Sequence, residues 1–300
     1  MSDSLFSLPI EQQLTPYLTL RKKGELPIIV VNHPKARGAI ALQGAHLLAW
    51  QPNGEEPVIW LSEKSLFKAG EPIRGGIPIC WPWFGKVNTP PHGFARNEEW
   101  RLTAHDESDH CVWLTFSLKD NENTRKIWPH SFCLIARIKI GTCCEIELES
   151  HGDDYSITAA LHSYFNIGDI NQVKVCGLGN HYFDKIAGGT YDTSDKKLTF
   201  NGTVDRIYTQ PEAFSVIQDP VLGRSIEIHH RNANDVVAWN PGAEGTSGIN
   251  DMANDGYKKM VCVETASVSK PIEVENDKFH YLSATIRCHR NLVENSSDSK

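Results

Sequence analysis

Short apolar runs separated by turn residues, with no long amphipathic helix between them, constrain this 300-residue chain more than any other feature. The runs Phe132–Ile140 (FCLIARIKI) and Cys144–Ser150 (CEIELES) alternate with a period close to two, the signature of half-buried strands. Similar runs recur at 27–31, 38–42, 45–50, 58–61, 111–118, 172–175, 197–200, 225–229, 235–239, 260–265 and 281–287. Many strands at short spacing without intervening helices predict an all-β sandwich or barrel. Short helices are expected only around Pro211–Phe214 and Asp251–Gly256, and 119–130 reads as a charged hairpin loop. With no internal repeat or linker-like shift in composition, one β domain over 1–290 is expected. The polar stretch 291–300 reads as a disordered tail, and 1–15 as loosely held.

One segment departs from this pattern. Ile73–Arg96 (IRGGIPICWPWFGKVNTPPHGFAR) packs four glycines, four prolines, two tryptophans, two arginines and a histidine into two dozen residues. Gly and Pro disfavour both helix and strand, so a rigid irregular loop is expected. Its aromatic rings and fixed positive charge suit a polyhydroxylated, anionic ligand. Arg74 precedes Gly75-Gly76, where backbone can approach a ligand closely. His92 and Arg96 bracket Gly93-Phe94-Ala95. The arginine pair fits a phosphate, or else acids nearby such as Glu71 or Glu98.

Composition narrows the classes of function. A net charge of -7 argues against general nucleic-acid binding but leaves room for a small anion held by local arginines. The N-terminus lacks a secretory pattern, and no apolar run reaches membrane-spanning length. None of the eight cysteines forms a CxxC pair, so reduced, buried thiols in a cytoplasmic protein are expected. Phosphate-loop, dinucleotide, GxSxG, HExxH and EF-hand signatures are all missing from the sequence.

Four positions could carry chemistry. His162, in the strand-like run Thr158–Phe165, is either a satisfied core histidine or a general acid–base with a pKa suited to neutral pH. Glu264, in the apolar run Met260–Ala266, is either half of a structural ion pair or a base tuned by burial. Asp205, read at a strand end and turn with Arg206, is either a salt-bridge partner or a hydroxyl-binding carboxylate. Trp239, at another strand end, is either core or a sugar-stacking platform.

Taken together and in order, GAHLLAW (44–50), RGGIPICWPWFG (74–85), HGFAR (92–96) with Trp100, WPHSF (128–132), ALHSYFNIGDI (160–170), DRIY (205–208), VVAWNP (236–241) and MVCVE (260–264) resemble the aldose 1-epimerase superfamily. The likeness is greatest to its hexose-6-phosphate mutarotase branch. The resemblance implies a large antiparallel β-supersandwich and interconversion of sugar anomers without a metal, nucleotide or redox cofactor. It implies His162 as general acid and Glu264 as general base. His92 and Asp205 would position the sugar, and Arg74 and Arg96 would hold the 6-phosphate. Lys86 and KVNTPP stand where small, neutral loop residues are expected. A phosphosugar substrate and a monomer are implied. The alternatives are an epimerase of unphosphorylated sugars and a non-catalytic carbohydrate-binding protein on the same fold.

Overall fold

A computed structural model of the chain describes residues 2–276 and 278–290. The tail expected at 291–300 lies outside the described residues. Three antiparallel sheets account for the fold. The first is a five-stranded meander in chain order, from Ile10–Gln13 to His46–Pro52. The second has nine strands, with Phe132–Gly141, Cys143–Gly152, His280–Arg290 and Arg224–Arg231 adjacent at its middle. The third has eight. Val204–Tyr208, Asp235–Asn240, Met260–Val274 and Tyr155–Leu161 lie side by side, Ile79–Cys80 closes one edge, and Tyr164–Asn166 pairs separately with Met260–Val274.

Period two is visible directly in burial. Along Phe132–Gly141, buried and half-buried residues alternate until the final residue. Leu134, Ala136, Ile138 and Ile140 enter the core, and the intervening face carries the Arg137–Glu147 and Lys139–Glu145 ion pairs. In contrast, Met260–Ser267 is buried throughout, because both faces of its sheet are covered. Val261 and Val263 join the main core with Leu114, Ile146 and Ile286, while Cys262 and Ala266 belong to two smaller clusters on the opposite face. Burying each such aliphatic side chain stabilises the fold by about 1.5–3 kcal/mol.

Several local expectations need correction. Pro211–Phe214 is not helical; Phe214 begins the strand Phe214–Asp219, where alternation in FSVIQD prevails over a run too short to nucleate a helix. Asp251–Gly256 is a turn leading into a single 3-10 turn, Gly256–Lys259. A helix does form at Glu122–Ile127, within the stretch read as a loop, because Asn121 and Thr124 build a reciprocal capping box. Residues 58–61 make isolated bridges, Ile59 with Phe165 and Leu61 with Gly75, not a strand. The N-terminal segment is anchored: Leu5 is fully buried, and Arg21 donates to the carbonyls of Phe6 and Leu8 at 2.6 and 2.7 Å. Finally, Thr158–Phe165 is two strands, Tyr155–Leu161 and Tyr164–Asn166, broken at His162-Ser163.

Candidate active site

The break at His162-Ser163 is where the site begins. Side chains two apart on a strand share a face. Cross-strand register therefore sets Asp205, Trp239, Cys262 and Tyr164 in one row, with Val237 beside Glu264 in the next. This is the face turned away from the main core. His162 leaves the regular ladder over that face, its amide donating to Pro78 O at 3.0 Å. Its ring stacks parallel to Tyr164 with centroids 4.8 Å apart and meets His92 and Trp239 edge-on at 5.5 and 6.0 Å.

His162 Nδ1 stands 3.3 Å from Glu264 Oε1, with both side chains almost wholly buried. The contact is close but not angled as a hydrogen bond, and among the described residues neither Nδ1 of His162 nor the second carboxylate oxygen, Oε2 of Glu264, has a hydrogen-bond partner. Burial, reinforced by Asp205 and opposed by Lys185, pushes the Glu264 carboxyl well above the usual carboxylate range. Burial, then His92, Arg96 and Arg74, pulls the His162 imidazole well below its ordinary value. A raised carboxyl makes a stronger base and a depressed imidazolium a stronger acid, so the pair is suited to passing protons through a substrate held between them.

The segment Ile73–Arg96 flanks this pair and is joined to it by backbone. Thr158, His162 and Tyr164 donate to the carbonyls of Pro82, Pro78 and Gly76 at 3.0–3.1 Å. Gly93, with φ at +73°, admits no side chain, since a Cβ there would lie 1.9 Å from Trp81 O. That close approach sets His92 beside the site, its Nδ1 3.5 Å from Cys80 Sγ. Burial and the surrounding Arg96, Lys185, Arg74 and Lys86 bring the His92 pKa down to about 3. The four cations thus converge electrostatically on one imidazole.

Neither arginine pairs with Glu71 or Glu98 among the described residues. Arg74 is anchored by Asp251 (Nε–Oδ1 3.1 Å) and by the Tyr164 hydroxyl at 3.2 Å. Arg96 donates from Nη2 to Pro91 O at 2.7 Å, while its buried Nε has no partner. Asp205 lies inside the strand Val204–Tyr208, not in the turn expected there, and is paired with Lys185 at 2.9 Å. Trp81 and Trp83 pack into the core, whereas half-buried Trp239 faces the site.

The sequence-predicted residues His162, Glu264, His92, Asp205 and Arg74 therefore come together, with Arg96 beside them. Sequence reasoning missed Lys185, Asp251 and Tyr164. For Tyr164 a signal existed, since it stands two residues from His162. Lys185 and Asp251 reach the site from irregular segments with no periodic pattern.

Comparison with known proteins gives the family of the chain. The profile of the aldose 1-epimerase family matches residues 27–287. A Salmonella typhimurium protein named "Putative glucose-6-phosphate 1-epimerase" is 50% identical over 290 residues, covering 95% of this chain and 98% of its own. An Escherichia coli protein of the same name is 47% identical, covering 96% and 99%. The crystal structure of a "putative mutarotase" from Salmonella typhimurium superposes with a TM-score of 0.94 at 49% identity, covering 97% of this chain and 99% of that one. With its three antiparallel sheets and the buried His162–Glu264 pair, the chain belongs to the aldose 1-epimerase family.

Proposed function

We propose that this protein interconverts the α and β anomers of hexose 6-phosphates, glucose 6-phosphate foremost. The observation that carries this reading is a buried acid–base pair with no Lys or Arg in ion-pair contact among the described residues, next to an imidazole, His92, on which Arg74, Lys86, Arg96 and Lys185 act. At rest the proton of the pair sits on Glu264; once it has passed to His162, the Glu264 carboxylate takes the proton of the anomeric hydroxyl and the His162 imidazolium delivers one to the ring oxygen. The hemiacetal opens, the aldehyde rotates, and the ring closes on its other face with the two roles exchanged. Each proton transfer contributes typically ~100- to 10,000-fold. His92 and Asp205 hold sugar hydroxyls, Lys185 keeping the Asp205 carboxylate in place. Arg74 and Arg96 hold the phosphate, far enough from the anomeric carbon to leave its bond free to turn.

Because every one of these residues comes from one chain, a monomer suffices for the reaction. All eight cysteines are free thiols, which favours a reducing, cytoplasmic setting. Among the described residues no helix is long and apolar enough to cross a membrane. The test is NMR exchange spectroscopy on glucose 6-phosphate with free glucose as control. Acceleration of the phosphosugar over the free sugar is expected. Equal acceleration of both would assign the enzyme to unphosphorylated aldoses, and no acceleration of either would leave a sugar-binding protein.

A further inference from the structure

Proton transfer accounts for His162 and Glu264 but leaves a third polarisable group beside them unused. Cys262 and Glu264 stand two apart on Met260–Val274, so their side chains leave the same face. Cys262 is fully buried and forms no disulfide. One donor atom each from His162, Cys262 and Glu264 lies within 4.8 Å of the other two. We propose that this trio is a chelating site for a thiophilic divalent cation, Zn²⁺ foremost, and that a metal seated there blocks anomer exchange.

The geometry is close to what such an ion requires. Tetrahedral zinc with bonds of about 2.0–2.3 Å places its donors roughly 3.3–3.7 Å apart. The His162 Nδ1–Glu264 Oε1 edge is already 3.3 Å. With all three donors inside 4.8 Å, the remaining edges need to shorten by no more than about 1–1.5 Å to reach that spacing, a change of side-chain rotamer scale. The donors are also available, since Nδ1 of His162 and Oε2 of Glu264 are buried without hydrogen-bond partners. Charge favours the ion as well. Burial holds the Cys262 thiol and the Glu264 carboxyl protonated, so the ion displaces two protons to solvent; the thiolate and carboxylate left around the dication then sum to zero, the least costly state in a buried pocket, and binding tightens as pH rises. A sulfur, nitrogen and oxygen set selects Zn²⁺ over Mg²⁺ or Ca²⁺, which require oxygen donors throughout. Two of the three ligands, His162 and Glu264, are the groups that would act on the sugar, so metal and substrate compete. Metal binding stands on geometry alone; its effect on exchange rests on the function proposed above.

Two measurements separate these parts. Co²⁺ titrated into the whole protein is expected to give a thiolate-to-cobalt charge-transfer band and intense visible d–d absorption. Both should vanish in Cys262→Ser and persist in Cys80→Ser. A Cys262→Ser protein with the wild-type cobalt spectrum overturns the site, whether or not the enzyme turns over. In the exchange assay, Zn²⁺ should silence the wild type and EDTA restore it. Cys262→Ser, scored against its own metal-free rate, should need at least about tenfold more Zn²⁺ for the same fractional inhibition, having lost the soft ligand. Equal sensitivity of the two proteins overturns the inhibitory role, and Cys262→Ala gives a second variant should serine disturb the strand.

Discussion

Two strands carry glutamates in opposite circumstances. On Cys143–Gly152, Glu145 and Glu147 alternate outward and meet Lys139 and Arg137 at 2.8 and 2.7 Å. Glu149, beside them, would be raised by burial, but Arg137 and His151 outweigh that and hold it below its usual range. On Met260–Val274, Glu264 is buried with no Lys or Arg in ion-pair contact among the described residues, and its carboxyl rises well above the usual range. The side chain is the same and so is the secondary structure. What differs is whether water and a cation are within reach. Paired Glu145 and Glu147 solubilise an outer face and Glu149 is kept ionised by its partners, whereas Glu264, with no such partner among the described residues, is held ready for a proton.

The sharpest way to break this contrast is at Glu264 itself. Glu264→Gln and His162→Ala should each slow anomer exchange of glucose 6-phosphate by at least ~100-fold in exchange spectroscopy. A wild-type rate in either would end the acid–base assignment. Stability should move the other way for Glu264→Gln. A carboxyl whose folded pKa is raised lends stability below the unfolded value near 4.3 and loses it as pH rises toward the folded one. The amide removes that loss, so the variant should melt higher than wild type at neutral pH.

Next in size is the cationic rim. Arg74→Ala or Arg96→Ala should cut kcat/KM for glucose 6-phosphate by about 10- to 100-fold, the loss of a charge-assisted hydrogen bond. Turnover of free glucose should be largely spared. Equal losses on both sugars would sink the phosphate assignment.

Acid should act through the buried imidazoles. Folding lowers His46 to about 4 and His92 and His230 to about 3, in each case by burial first. Their contribution is intact above the unfolded value near 6.5 and is lost as pH falls toward the folded values. Each should therefore cost about 1.4 kcal/mol per pH unit within that window. Denaturant midpoints between pH 7 and 4.5 would show the slope, and His230→Asn should make it shallower. The smallest effect belongs to the outer ladder. Lys139→Ala should cost about 0–1 kcal/mol because solvent screens its pair with Glu145, and exchange should be unaffected.

Fold class was legible because alternation along runs such as FCLIARIKI reports burial locally. Glu264 was legible for a related reason: a lone carboxylate in an apolar run is conspicuous. The break at His162-Ser163 was not, since TAALHSYF reads as one uninterrupted strand and the interruption arises from bonds to Pro78 and Gly76, far away in sequence. The same holds for Asp251 anchoring Arg74 and Lys185 anchoring Asp205, contacts made across 177 residues in the first case. Periodicity records which face a residue occupies but not which loop arrives opposite it. The helix at Glu122–Ile127 did have a local signal, the Asn121–Thr124 box, masked by the charged residues around it.

The backbone bonds from Thr158, His162 and Tyr164 to the irregular segment have a consequence for hydrogen exchange. Those amides are protected only while 73–96 is seated, because no regular neighbouring strand bonds the His162 amide. Deuterium uptake at His162 and Tyr164 therefore reports undocking of the recognition segment, at positions inside the reaction centre. A ligand gripped by Arg74 and Arg96 should slow that uptake while leaving Leu134 and Ile138, deep in the nine-stranded sheet, at their ligand-free rates.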